Sequence, residues 1–172
     1  MEEIEILEFG IKRENEERRD GGCSIVFDPI SQKYAVYRNL KNGVIGLFGG
    51  GFDEGEDERE GALRELREES GLTHYKYVEK LGNADVHYHN SNKNVNRVAR
   101  ASFFLVILET VDLEETHLES HENFKLLYTN KDEILSTWNS RNQNHDYDHW
   151  IYFFNKAISR AIDLGYDKVS VL

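Results

Sequence analysis

The chain has 172 residues, 39% hydrophobic and 31% charged, so it reads as one folded, water-soluble domain able to bury a core rather than as a disordered segment. Its net charge of −11 argues against a dedicated nucleic-acid surface, which needs a basic face, yet leaves room for an anionic small molecule held through a metal ion. Cys23 is the only cysteine, which excludes an internal disulfide and fits a reducing, cytoplasmic compartment.

The opening MEEIEILEFG is acidic and has neither a basic start nor a long apolar run, so it does not read as a signal peptide. No stretch has the length and apolarity of a membrane span, and no membrane partner is expected. Residues 4–9 alternate loosely and suggest a short strand. The polar run KRENEERRD over residues 12–20 reads as a solvated turn or helix, and residues 1–20 as an N-terminal extension, partly mobile. Gly21 and Gly22 then break the pattern.

Cys23 to Phe27 is short, apolar and partly β-branched, as a buried strand requires. Asp28-Pro29 opens a turn, and YAVYR over residues 34–38 supplies the second arm of a hairpin. Val44 to Phe48 leads as a strand into Gly49, Gly50 and Gly51. A helix is predicted from about Asp57 to Glu69, with acidic residues at its start and Gly71 as its stop. Tyr75 to Leu81, Asp85 to His89 and Arg97 to Glu109 read as three further strands, the last carrying the most apolar run, ASFFLVIL. Phe124 to Tyr128 is a shorter strand. Asn130 can cap a helix over residues 131–138, and Asp148 can cap a final helix that presents Trp150, Phe154, Ala157, Ile158, Ala161 and Ile162 on one face before Gly165. Strands with helices dispersed among them predict an α/β (α+β) fold, a mixed sheet covered on both faces.

The chemistry concentrates in residues 47–72, LFGGGFDEGEDEREGALRELREESGL. Glu65 lies three and four residues from Glu68 and Glu69, so the three carboxylates converge near one edge of the helix, where like charges repel unless something compensates them. Hard divalent cations such as Mg²⁺ or Mn²⁺ take carboxylate oxygens and bridge to phosphate. Arg64 can pair with Glu56 or Glu60 and steady the cluster.

Gly50, Glu56, Arg64, Glu65, Leu66, Glu68, Glu69, Gly71 and Leu72 stand at the spacing G-x5-E-x7-R-E-U-x-E-E-x-G-U, where U is bulky and aliphatic. By that stretch the whole chain resembles the Nudix hydrolases, which cleave nucleoside diphosphates linked to another moiety. The resemblance implies an α/β/α sandwich spanning residues 1–172, with Mg²⁺ or Mn²⁺ as cofactor and a small-molecule nucleotide diphosphate as substrate. It also implies Glu65, Glu68, Glu69 and the Gly49 carbonyl as metal ligands, with Glu68 or Glu69 taking a proton from water. The family commonly enters this stretch with Pro-Gly-Gly, where this chain has Phe48-Gly49-Gly50.

Family members often draw a further glutamate from a loop; Glu122 is the first candidate and Glu119 the second. For the substrate, Arg38 and Arg97 or Arg100 offer planar donors for phosphate or base. Tyr88, 16 residues beyond the motif, matches a tyrosine of some diadenosine-polyphosphate members. The seven histidines include His87 and His89 on one strand face, without a cysteine pair to suggest zinc. A non-hydrolysing nucleotide sensor on the same fold is the alternative, though such proteins usually lose a motif glutamate. An isomerase needs a cysteine near its site, which Cys23 does not obviously supply. The sequence leaves a homodimer open.

Overall fold

A computed structural model describes residues 6–168. The elements are β1 (Leu7–Gly10), β2 (Glu17–Arg18), β3 (Gly21–Asp28), β4 (Lys33–Asn39), β5 (Ile45–Gly46), β6 (Phe48–Gly51), α1 (Glu58–Ser70), β7 (Tyr75–Asn90), β8 (Val95–Leu108), β9 (Phe124–Thr129), α2 (Lys131–Ser140) and α3 (Asp148–Asp163). All strands join one mixed sheet in the order β1-β7-β8-β3-β4-β5, with β2 beside β8, β6 beside β3 and β9 beside β4. The parallel pairs are β1–β7, β2–β8 and β3–β8; the others are antiparallel.

β3 and β8 lie centrally, and their alternate side chains enter two cores. Ile25, Phe27, Phe103, Leu105 and Ile107 pack with Trp138, Phe153 and Phe154 of α2 and α3. Val26, Phe104 and Val106 pack with Ala62 and Leu66 of α1. This two-sided burial explains why β8 reads as a continuous apolar run. Helices cover both faces, as expected of the sandwich. Trp138 is fully buried and donates its indole N–H to the Ile45 carbonyl at 2.8 Å, which ties α2 to the sheet.

Several sequence expectations need correction. Residues 12–20 are not simply a solvated turn or helix: Glu17 and Arg18 form a short parallel strand against β8. Of the strand expected over residues 4–9, the first two positions fall outside the described residues; β1 begins at Leu7 and pairs with β7. Tyr75 to His89 is one long strand rather than two. It is interrupted by register shifts at Tyr75/Tyr77 and at Lys80/Gly82, where Gly82 adopts φ 154°. Asp148 does not cap α3, because the cap position is Tyr147 and no side chain accepts there. Asn130 does cap α2, its side chain accepting from the Glu133 N–H at 2.9 Å. Phe153, absent from the expected face of α3, is fully buried and stacks on Phe103 at 3.9 Å.

Candidate active site

α1 forms where local signals agree. Asp57 accepts a hydrogen bond from the Glu60 N–H at 3.1 Å, and Gly71 ends the helix in the left-handed region at φ 81°. Ala62 and Leu66 anchor it to the sheet. Gly61 is explained by the preceding loop: a Cβ there would stand 2.5 Å from the Phe52 ring and 2.8 Å from a Glu56 carboxylate oxygen. Phe48, which replaces the usual proline, is fully buried in the α1-side core and pairs across β3 with Ser24.

The guanidinium of Arg64 is the hub of the acidic motif. It donates to Glu56 twice, at 2.7 and 3.0 Å, to Glu65 at 3.0 Å, to Glu68 at 3.1 Å and to the Gly51 carbonyl at 3.0 Å. Of the two acids expected to pair with it, Glu56 does and Glu60 does not. The Arg64 hydrogen bond, aided by the Asp53 N–H, lowers the Glu56 pKa to about 2. Glu65 lies against Gly50, where a Cβ would stand 2.5 Å from its carboxyl carbon; glycine at this position makes room for the carboxylate. Burial raises the Glu65 pKa against the pull of Arg64.

Glu69 turns to the glycine strand. Its carboxylate is only 5% exposed as a residue and accepts the Gly49 N–H at 2.7 Å. The loop before β9 brings Glu122 beside it, within hydrogen-bonding reach. Burial first, and Glu122 second, push the Glu69 pKa well above the ordinary carboxyl value. Glu122 is itself held by the Glu119 N–H at 2.9 Å, whereas the Glu119 side chain is 73% exposed and faces His121. The structure therefore brings Glu65, Glu68, Glu69, Gly49, Arg64 and Glu122 together.

Among the described residues no three acidic, histidine or cysteine side chains already surround one point as a ready coordination shell. The donor set nonetheless suits a hard divalent cation. The candidate donors are all oxygens, from carboxylates and the Gly49 carbonyl; Arg64 is shared by Glu56, Glu65 and Glu68, and among the described residues no lysine or arginine pairs with Glu69 or Glu122. Two carboxylates side by side with one raised pKa are what a cation would stabilise as a charged pair.

The proposed substrate residues are more spread out. Tyr88 and Arg97 face each other directly across β7 and β8. Arg38 is exposed on β4 beside Lys125 of β9 and, among the described residues, enters no ion pair with the carboxylates, whose arginine partner is Arg64. Arg100 is engaged by Asp85 at 2.7 Å. His87 is not a zinc ligand but a buried link: Nε2 meets Glu8 at 2.6 Å and Nδ1 meets Glu16 at 2.8 Å.

Tyr37 is the residue missed in the sequence. It packs toward the α1 side, stacks on Phe124 at 3.9 Å, and its pKa is raised by burial and then by nearby Glu69. The alternation in YAVYR, which turns Tyr37 and Arg38 to opposite faces, could have flagged it. Burial pushes the Cys23 thiol up to about 12, so it is no ready nucleophile.

A NUDIX-domain family model matches residues 30–151. No curated protein matches the chain by sequence. Among solved structures, the NUDIX domain of Shewanella oneidensis NrtR, complexed with ADP ribose, has a TM-score of 0.59 at 16% identity and covers 84% of this chain and 89% of its own. The MutT protein from Methanosarcina mazei Go1 gives 0.59 at 17%, covering 86% and 98%, and a C. elegans Ap4A hydrolase binary complex gives 0.56 at 16%, with the same coverage. At these identities the solved structures speak for the fold, and the family model for membership. The chain belongs to the Nudix family, whose hydrolases act on phosphoric anhydride bonds.

Proposed function

We propose that the protein hydrolyses the pyrophosphate bond of a nucleoside diphosphate linked to another moiety, with Mg²⁺ or Mn²⁺ as cofactor. The meeting of buried Glu69 with Glu122 beside Gly49 carries this reading, since such a pair has a use when a cation and a phosphate come to it. Glu65, Glu68, Glu69 and the Gly49 carbonyl would hold the ion. Bound there, the cation offsets negative charge on the phosphoryl oxygens and acidifies a water. Arg64 keeps Glu65 and Glu68 oriented through its two bonds to them. Glu69 or Glu68 accepts the proton of the attacking water, and Glu122 lies where it can accept that proton or pass it on. Arg97, Tyr88 and Arg38 are assigned to the substrate. None of the described helices is long and apolar enough to cross a membrane, and a cytoplasmic enzyme is the reading we adopt.

The test is a panel of nucleoside diphosphate derivatives, including ADP-ribose and diadenosine tetraphosphate, incubated with Mg²⁺, with Mn²⁺ or with chelator. Metal-dependent release of a phosphate ester, identified by mass, is expected. Tight nucleotide binding with no product under any metal condition would replace this reading with a silent sensor.

A further inference from the structure

α1 and β9 meet on one face of the sheet. Leu126 and Tyr128 of β9 pack into the α1-side core, so the alternation of the strand turns Phe124 to that face as well. Tyr37 of β4 packs there too and stands opposite Leu126 in register. Phe124 is therefore its diagonal neighbour, a spacing that aromatic side chains span. The two rings stack with centroids 3.9 Å apart and planes 11° from parallel.

Tyr37 is held by its strand neighbours. Gly46 faces it in register, and a Cβ at Gly46 would stand 2.2 Å from the Tyr37 Cζ and hydroxyl oxygen. Phe48 meets the ring edge-on at 5.9 Å. Phe124 has no such bed. It is half-buried, joins neither core and, among the described residues, stacks on no ring but Tyr37. A phenylalanine held by one ring at the rim of a core has apolar area still to be covered. The basic side chains Arg38 and Lys125 turn to the other face of the sheet, so the pair suits a flat uncharged ring rather than an anion.

The stacked pair adjoins the carboxylates. Glu122 lies two residues before Phe124, so their Cα atoms are at most about 7 Å apart. Glu122 sits in turn beside buried Glu69, and Tyr37 lies close enough to feel the charge of both. The Leu40 N–H donates to the Asn123 carbonyl at 2.8 Å, which ties the end of β4 to the residue between Glu122 and Phe124. The ring and the carboxylate are thus carried by one short, fastened segment.

We propose that Tyr37 and Phe124 form the base platform of the site: the nucleobase of the substrate lies on the face of Phe124 turned away from Tyr37, and the ribose leads from there to the phosphates at Glu69 and Glu122. This rests on the hydrolase reading above and adds to it the residue that recognises the base. Stacking on an aromatic ring is open to every base, because each has a π face. The platform therefore selects a nucleotide over a base-free phosphate ester rather than one base over another.

The test is calorimetric binding, in Mg²⁺, of AMP, GMP, CMP and UMP against ribose 5-phosphate, which carries sugar and phosphate without a base. None has a pyrophosphate bond, so no turnover intrudes. The full chain is compared with its Phe124→Leu and Phe124→Trp variants. In the wild type at least one nucleotide should bind roughly tenfold or more tightly than ribose 5-phosphate; Phe124→Leu should erase that gain and Phe124→Trp should keep it. Ribose 5-phosphate should bind Phe124→Leu as it binds the wild type, which also reports that the site is intact. The platform is overturned by a wild type with no gain from any base, by a gain that survives Phe124→Leu, or by an equal loss for nucleotide and ribose 5-phosphate, as a merely structural ring would give. Any of these leaves hydrolysis to be judged by the substrate panel. A gain that needs Phe124, in a protein that releases no product from the panel, sustains the platform and overturns hydrolysis.

Discussion

The bond between Arg64 and Glu56 should be a principal fastening of the motif loop to α1, and a double-mutant cycle can measure it. The two side chains are 20% and 15% exposed and meet through two hydrogen bonds, at 2.7 and 3.0 Å. Exposed ion pairs are worth about 0.2–1 kcal/mol, whereas breaking a buried one costs about 3–5 kcal/mol. This pair lies nearer the buried limit, so a coupling energy of about 2 kcal/mol is expected. Arg64→Met should lose more, about 3 kcal/mol, because Glu65, Glu68 and the Gly51 carbonyl lose a donor as well. With a urea slope of about 2 kcal/mol/M, that loss moves the midpoint by about 1.5 M. The assay is urea unfolding of wild type, Arg64→Met, Glu56→Gln and the double variant, in chelator so that no cation stands in for the guanidinium. A coupling below about 0.5 kcal/mol would refute the fastening. The same pair predicts acid sensitivity. The Glu56 pKa is depressed to about 2, so its contribution is full above the ordinary carboxyl pKa near 4.5 and is lost as pH falls through the folded value. Glu56→Gln should lack that portion of the acid loss.

Three further outcomes follow from the geometry. Gly50→Ala should push the Glu65 carboxylate off the glycine strand and weaken Mn²⁺ binding, read by electron paramagnetic resonance, about tenfold or more, while the fold survives because only a flexible side-chain end must move. For His87, burial alone favours the neutral ring, but the hydrogen bonds to Glu16 and Glu8 prevail and raise its pKa. The stability it contributes is therefore full below the ordinary histidine pKa near 6.5 and is lost as pH rises through the raised folded value. An NMR titration should show the raised pKa, and Glu8→Gln with Glu16→Gln should bring it down; a wild-type value at or below 6.5 would remove the link. Because burial and Glu122 raise the Glu69 pKa, a cation must displace its proton, so Mn²⁺ affinity should rise with pH above the ordinary carboxyl range; a flat profile would count against Glu69 as a ligand.

What could be read from the sequence was local. Asp57, Gly71 and the Ala62–Leu66 stripe set the bounds of α1 within a residue or so, because caps and periodicity act over a single turn. The apolar run of β8 disclosed a central strand because both its faces are buried. What escaped depended on partners distant in the chain. Glu17 and Arg18 have no apolar pattern and become a strand through the backbone of Arg97 and Val98. Leu81 and Asp85 read as the end of one strand and the start of another, but pairing with β8 carries β7 through the residues between them. Glu122 could be chosen by its position before β9, yet its approach to Glu69 depends on the course of the long loop after β8. Arg19 sat within a run that read as solvated charge, and nothing in that run signals that the chain folds it over Gly51.

If the carboxylate cluster performs metal-dependent hydrolysis, Glu69, its most buried member, must be needed for turnover. The most direct measurement is turnover of the best substrate from the panel, titrated with Mg²⁺ and Mn²⁺, by wild type and by Glu69→Gln, with the unfolding midpoint of each recorded alongside. Glu69→Gln is expected to lose roughly a hundredfold or more in kcat at saturating metal, with the fold retained. A folded Glu69→Gln protein that turns over at the wild-type rate would contradict it.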